Sequence, residues 1–303
     1  IEAMTKSPET LTEVHGAISP KVLFEELRRG VLGQDRALRF ASVAIHKHLL
    51  GKVSGNILLI GSSGTGKTTI MNNIQRLYDT VPGFENFRAV TILNANLLVD
   101  SDRTEFRPDR MFSAIEQRAR VILGERPSLA ALKETMERAT VCVDEVDKMS
   151  TVIAGKPNPI GVVLQQGLLT LMEGERVPYR LHAFDGEKDR EQTVEIDTRK
   201  MMFEGLYDQV YNRVSRSGSG ERIKTEAVKT ADGGVRLETR FSLADFLKIK
   251  DLFEYGMVPQ FMARFDKVVV LNDLNTAILK EILLGSYDSP LARTQRYFES
   301  LDI

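Results

Sequence analysis

The sequence predicts an α/β fold, a mostly parallel sheet flanked by helices, and three observations carry that expectation. Short apolar runs alternate with segments of helical periodicity from residue 35 to about residue 271. The first apolar run, Asn56-Ile-Leu-Leu-Ile60, ends in a glycine-rich turn, as a parallel strand covered on both faces does. A composition of 42% hydrophobic and 27% charged residues over 303 residues is that of a globular chain with a sizeable core.

The elements follow in order. Asp35 to Leu50 carries Leu38, Ala41, Ile45 and Leu49 at helical spacing and is broken by Gly51-Lys-Val-Ser-Gly55. After the strand at 56–60, helical pattern resumes at Lys67. Ala89 to Leu93 reads as a strand, Arg110 to Leu123 and Ala130 to Arg138 as helices, and Thr140 to Val143 as a strand. A helix over Gly161 to Met172 leads to a strand over Arg199 to Phe203, then a helical pattern of Leu206, Val210 and Val214. Last come helix Leu243 to Phe253 and strand Lys267 to Leu271. Phe184 to Gln192 and Ser215 to Glu238, charged and glycine-containing, read as loops.

Charge and cysteine content narrow the function classes. Lys plus Arg (41) nearly cancels Asp plus Glu (42), so no net field draws the chain to nucleic acid or an anionic membrane. No run approaches the roughly 18 apolar residues of a membrane span, and Ile1-Glu-Ala-Met-Thr-Lys lacks the pattern of a secretory leader. The expectation is a cytoplasmic protein, read from a trimmed chain whose residues 1–24 form an N-terminal extension. The single Cys142 excludes intrachain disulfides and multi-cysteine zinc sites, and inside Val141-Cys142-Val143 it reads as a small buried hydrophobe. His46 and His48, two apart on a helix, point to different faces and read as solvated residues rather than metal ligands.

Gly61-Ser62-Ser63-Gly64-Thr65-Gly66-Lys67-Thr68 matches G-x-x-x-x-G-K-[ST] between a strand and a helix, the context that gives the pattern its meaning. Glycines let backbone N–H groups wrap phosphates, and the helix that follows, with Thr69 in its first turn, points its positive dipole end at them. Lys67 then neutralises the β- and γ-phosphates of ATP, and Thr68 offers a hydroxyl to Mg²⁺. Val141-Cys-Val-Asp144-Glu145 ends an apolar strand in two carboxylates. Asp144 is expected on the Mg²⁺, directly or through water, and Glu145 on the attacking water.

Around these motifs the chain resembles the ClpX and HslU group of AAA+ ATPases over roughly residues 25 to 285. Val31-Leu32-Gly-Gln-Asp35 and Ala44-Ile-His-Lys-His48 resemble the group's box that contacts adenine, which places Leu32 on the base. Asp144-Glu-Val-Asp-Lys148, Gly167-Leu-Leu-Thr-Leu-Met-Glu-Gly174, Val194-Glu-Ile-Asp-Thr198 and Phe253-Glu-Tyr-Gly-Met-Val-Pro-Gln-Phe-Met-Ala-Arg264 resemble successive blocks of the same group, the last ending in its arginine finger. The resemblance implies a large ATPase domain over residues 25–274 and the beginning of a small helical domain over 275–303. It further implies Mg²⁺-dependent ATP hydrolysis in a homo-hexameric ring, with Glu145, Lys67 and Arg264 catalytic and a protein substrate or adaptor as partner.

The departures are specific. Where the group carries an aromatic pore loop, this chain reads Asp100-Ser-Asp-Arg-Thr-Glu-Phe106-Arg-Pro108, with Phe106 the one aromatic. Ser215-Arg-Ser-Gly-Ser-Gly-Glu-Arg-Ile223 lacks the triplet that docks a ClpP-type peptidase, so such docking is not expected, and the zinc domain is missing. The chain stops before any counterpart of the group's sensor-2 arginine. No residue printed fills sensor 1, and because Phe203 runs straight into a helical pattern, residues are expected to be missing between Phe203 and Glu204. A nucleic-acid motor or loader of the same class, with a basic pore, is the alternative reading, and a nucleotide switch that assembles without processive work is a third.

Overall fold

The computed structural model describes residues 18–52, 55–124, 126–184, 189–207, 224–229, 234–240, 247–285 and 289–301. Helix α1 (Pro20–Arg28) starts behind Ser19, whose hydroxyl accepts from Val22 N–H, with proline at the first helical position. Helix α2 (Asp35–Leu49) follows, then strand β1 (Ile57–Ile60) and helix α3 (Lys67–Thr80). Strand β2 (Val90–Asn94), the short pair β3 (Val99–Asp100) and β4 (Glu105–Phe106), and helices α4 (Pro108–Leu123) and α5 (Leu129–Glu137) lead to β5 (Thr140–Asp144).

A hairpin of β6 (Val152–Ile153) and β7 (Lys156–Pro157) precedes helix α6 (Pro159–Glu173). Two nine-residue strands, β8 (Arg176–Phe184) and β9 (Asp189–Asp197), then form an antiparallel ribbon. Strand β10 (Met202–Tyr207) is followed by the ribbon β11 (Lys224–Lys229) and β12 (Val235–Arg240), helices α7 (Ile249–Glu254) and α8 (Pro259–Met262), and strand β13 (Lys267–Val270). Helices α9 (Thr276–Gly285) and α10 (Pro290–Ser300) come last.

The central sheet runs β13-β1-β10-β5-β2 and all its pairings are parallel. Strand alternation sends side chains to two cores. Leu59, Cys142, Met202 and Leu206 pack under α1, α2 and α3 with Leu23, Ile45, Ile70 and Ile74. Leu58, Ile60, Val141, Val143 and Phe203 pack on the other face under α4, α5 and α6 with Phe112, Leu132 and Leu164. Burial on both faces is why these strands read as continuous apolar runs, and it brings the carboxyl ends of β1, β10 and β5 side by side.

Several expectations are corrected. The strand expected at 199–203 is β10, displaced to Met202–Tyr207, and Phe203 and Glu204 are consecutive in it, opposite Val141 and Cys142. The expected break between them is absent, and Leu206 belongs to the strand rather than to a helix; Val210 and Val214 lie outside the described residues. Of the two expected loops, all of the first but residues 185–188 is the β8–β9 ribbon, and much of the second is β11–β12. Helix α7 begins at Ile249, later than read.

His48 is not solvated. It is buried, with Nε2 bonded to the Lys200 carbonyl at 2.9 Å, and desolvation lowers its pKa to about 4, so it is neutral. Cys142 is a buried free thiol, as its apolar neighbours imply. Among the described residues no helix is long and apolar enough to cross a membrane.

Candidate functional site

The loop between β1 and α3 needs glycine at two places. Gly64 and Gly66 sit at φ 82° and 98°, in the left-handed region, with open space where a Cβ would stand, so backbone conformation and not crowding is what requires glycine there. Lys67 opens α3 and turns back into the loop, its Nζ donating to the carbonyls of Gly61 at 2.8 Å and Ser62 at 2.9 Å. Thr65 Oγ1 donates to the Ser62 carbonyl at 2.8 Å. Gln34, 2% exposed, braces the loop from outside: it donates to Thr65 O at 3.0 Å and Asn272 O at 2.8 Å and accepts from Asn272 N at 2.9 Å. The loop is thereby fixed to the exit of β13. Ser63, Thr68 and Thr69 are exposed, and Ser62 bonds to Asp273.

A cavity of about 300 Å³ opens beside this loop. Gly64, Thr65, Gly66 and Thr69 line it on the loop side; Val31, Leu32, Leu274, Leu279 and Ile282 make an apolar wall, and Ser289 and Arg293 come from the start of α10. An apolar cleft with a glycine-lined anion cradle at one end suits a nucleotide base and its phosphates.

Strand β5 delivers the second half. Asp144 and Glu145 are half-buried at its carboxyl end, and Glu145 occupies the left-handed region at φ 57°, ψ 40°. A residue other than glycine carries a conformational cost there. Asp144 Oδ1 accepts Glu145 N–H at 2.8 Å, and Asn94, at the end of β2 and opposite Asp144 in register, donates to Glu145 Oε2 at 2.5 Å. Asn94 is the residue that sequence reading missed: a lone asparagine after an apolar run carries no pattern of its own. The loop carrying Lys67 and the turn carrying Glu145 are separated by one strand, β10, a span of roughly 10 Å from two strand spacings.

Thr68 and Asp144 offer one hydroxyl and one carboxylate, and the described residues hold no cluster of three His, Cys, Asp or Glu. That sparse oxygen set fits Mg²⁺, which keeps water and substrate phosphate in its remaining positions.

Arg264 is not brought to this site. It precedes β13, which runs parallel to β1 with Lys267 opposite Ile57, so it stands at the amino end of the sheet. The carbonyl of Arg264 accepts from Asn56 at 3.0 Å and its guanidinium is paired with Glu173 on α6. Phe106 packs back: a Cβ at Gly167 would fall within its ring.

Residues 57–194 match the model of the ATPase family associated with various cellular activities (AAA). The chain is similar to the ATP-dependent Clp protease ATP-binding subunit ClpX of Bacteroides thetaiotaomicron, 28% identical over 291 residues, which covers 89% of this chain and 63% of that protein. The subunits of the same name from Bacteroides fragilis (28% over 291 residues, 89% and 63% covered) and Porphyromonas gingivalis (27% over 285 residues, 87% and 62% covered) are also similar. The chain thus spans less than two thirds of the length of these relatives.

Proposed function

Because the chain carries an ATPase domain of the AAA family and resembles ClpX, we propose that it hydrolyses ATP to ADP and phosphate and couples the cycle to remodelling of a protein substrate. The observation that carries the reading is the pairing of a glycine cradle after β1 with a carboxylate after β5, one strand apart at the same end of the sheet. In this reading Leu32 and the apolar wall take the base, and Gly61 to Thr69 take the phosphates. Lys67 leaves the Gly61 and Ser62 carbonyls for the β- and γ-phosphates. Mg²⁺, held by Thr68 and Asp144, supplies charge neutralisation at the phosphates when bound. Glu145, oriented by Asn94, accepts the proton of the attacking water.

Arg264 serves a neighbouring copy. Four residues of β1 at about 3.3 Å each put roughly 13 Å of strand between the amino end, where Arg264 lies, and the phosphate loop of the same chain. Its side chain is 44% exposed, and reaching a partner would require its guanidinium to leave Glu173. A ring of copies, six in the reading from sequence, gives each nucleotide a finger from next door.

Substrate contact falls to a different element from the one the sequence offered. Phe106 is half-buried, whereas the β6–β7 hairpin, directly after the turn that holds Glu145, presents Val152 and Ile153 at 41% and 49% exposure on a tight Ala154-Gly155 turn. An exposed apolar tip wired to the hydrolytic turn supports handling of an unfolded polypeptide. The location proposed is cytoplasmic. Phosphate release by the purified protein, measured with ATP and Mg²⁺, tests the reading: an unfolded protein should stimulate it, whereas salt-sensitive stimulation by DNA alone would favour a nucleic-acid motor instead.

A further inference from the structure

Gln165, in the middle of α6, is 1% exposed and is not among the residues lining the cavity beside the phosphate loop. Its amide nitrogen donates to the carbonyls of Met149 at 2.6 Å and Gly256 at 3.0 Å, and its Oε1 accepts Val258 N–H at 2.7 Å. Met149 ends the single turn of 3₁₀ helix, Val146–Met149, that begins at Glu145. Gly256 and Val258 lie between α7 and α8, Val258 is the residue that caps α8, and α8 delivers Arg264 two residues later. One side chain therefore staples the back of the hydrolytic turn to the base of the arginine.

The surroundings leave little freedom for substitutes. A Cβ at Gly161 would land on the Ser150 and Met149 carbonyls, and one at Gly256, at φ 100°, would come within 2.6 Å of Ser150 Oγ. Thr151 N–H donates to Gly256 O at 3.0 Å, and Ser150 Oγ bonds to the Tyr255 carbonyl. Two segments 105 residues apart in the chain are laced together here, with Gln165 supplying the bonds nearest to α8. Helix α8 is four residues long with no side-chain cap of its own; Phe261 and Met262 are buried and Asn56 holds the Arg264 carbonyl, and Gln165 is the side-chain anchor at its first turn.

We propose that Gln165 is a positioning residue: by fixing residues 256–258 to the turn behind Glu145, it sets the reach of Arg264 toward the nucleotide of a neighbouring copy. The proposal rests on the reading that Arg264 acts in trans. A guanidinium must sit within a fraction of an ångström of its productive place to stabilise developing charge, and Gln165 fixes the start of the short segment leading to Arg264 while Asn56 holds its end. The same staple makes each chain's own hydrolytic turn and the finger it lends next door parts of one rigid piece.

The test uses mixed assemblies in which only one kind of junction can work. Lys67→Ala chains mixed with Arg264→Ala chains turn over only where an intact phosphate loop meets an intact finger. That turnover, normalised to co-assembled protein, is the baseline. Replacing the first partner by Lys67→Ala/Gln165→Met should lower it at least tenfold, with KM at the working site, which belongs to the other chain, within twofold. A purely structural role for Gln165 would not lower kcat at a site on another molecule once assembly is normalised. Where Gln165→Met fails to co-assemble, Gln165→Glu is used with the same expectation, since it keeps the size and the bond from Val258 but turns an oxygen toward the Met149 and Gly256 carbonyls. Turnover within twofold of baseline for a co-assembled variant overturns the proposal. A silent baseline in confirmed mixed assemblies removes the trans reading itself, and the proposal with it.

Discussion

The turn after β1 and the turn after β5 stand one strand apart at the same end of the sheet, and both need left-handed backbone. The first meets the need with Gly64 and Gly66, which adopt positive φ without strain, and fills its own hollow with the Lys67 ammonium on two carbonyls. The second places Glu145 itself at φ 57° and holds it with a bond from Asn94. A relaxed turn, braced by Gln34, is a cradle ready for a ligand. A strained turn whose carboxylate is held by a neighbouring strand suits, in the function proposed, the aiming of a base. The difference separates binding from chemistry, and variants should separate them too.

Breaking the cradle should have the largest effect. Lys67→Ala removes the cation that, in the function proposed, exchanges two carbonyl contacts for phosphate contacts, and a charge-assisted bond of up to about 3 kcal/mol corresponds to a loss of ATP affinity on the order of 100-fold. Calorimetric titration with a non-hydrolysable ATP analogue measures it; affinity within a few-fold of wild type would move Lys67 out of the phosphate site.

The strand between the two turns gives the next effect. Glu204 lies on β10 opposite Ile57 and Cys142, is 1% exposed, and neither carboxylate oxygen has a hydrogen-bond partner. Burial pushes its pKa from 4.5 up to about 8. The folded state therefore holds a proton that the unfolded state releases near pH 4.5, and stability falls as pH rises from there to about 8. Glu204→Leu should abolish that slope and raise stability at pH 8 by a few kcal/mol, on the order expected for removing an uncompensated buried carboxylate. Urea unfolding at pH 5 and pH 8 tests it, and equal stability of the two proteins at pH 8 would contradict the burial account.

Smaller effects come from the hydrolytic turn. Asn94→Ala should leave nucleotide affinity unchanged and lower turnover roughly tenfold, about 1.4 kcal/mol of barrier, because Glu145 loses the bond that aims it. Loss of affinity instead would make Asn94 part of the cradle. Glu145→Gly should relieve left-handed strain and raise stability by up to about 1 kcal/mol while removing activity, whereas a drop in stability would show that the turn is not strained.

The cradle was legible because its chemistry is contiguous: Gly61 to Thr68 carries glycines, lysine and hydroxyl in one stretch, bounded by a buried strand and a helix. Asp144 and Glu145 were legible for the same reason. Asn94 was not, since its partner is 51 residues away. Strand β10 lies further on than expected because Leu206, spaced as for a helix with Val210 and Val214, belongs to the strand, and Glu204 is a charge inside a covered strand. The β8–β9 ribbon did carry a signal that went unread. Val177, Tyr179, Leu181 and Ala183 turn inward while Arg176, Pro178, Arg180 and His182 stay exposed, a period of two hidden by its many charges. Gln165 was invisible for a different reason: its partners are backbone atoms, and backbone leaves no residue type to recognise.

The most direct test of a division between a binding turn and a chemical turn is Glu145→Gln, which keeps size and polarity and removes the base. Bound ATP and released phosphate should be measured on the same preparation. The account predicts nucleotide affinity within twofold of wild type and turnover lowered at least 100-fold, about 2.7 kcal/mol or more of barrier. Turnover within tenfold of wild type, or affinity lost together with turnover, would contradict it.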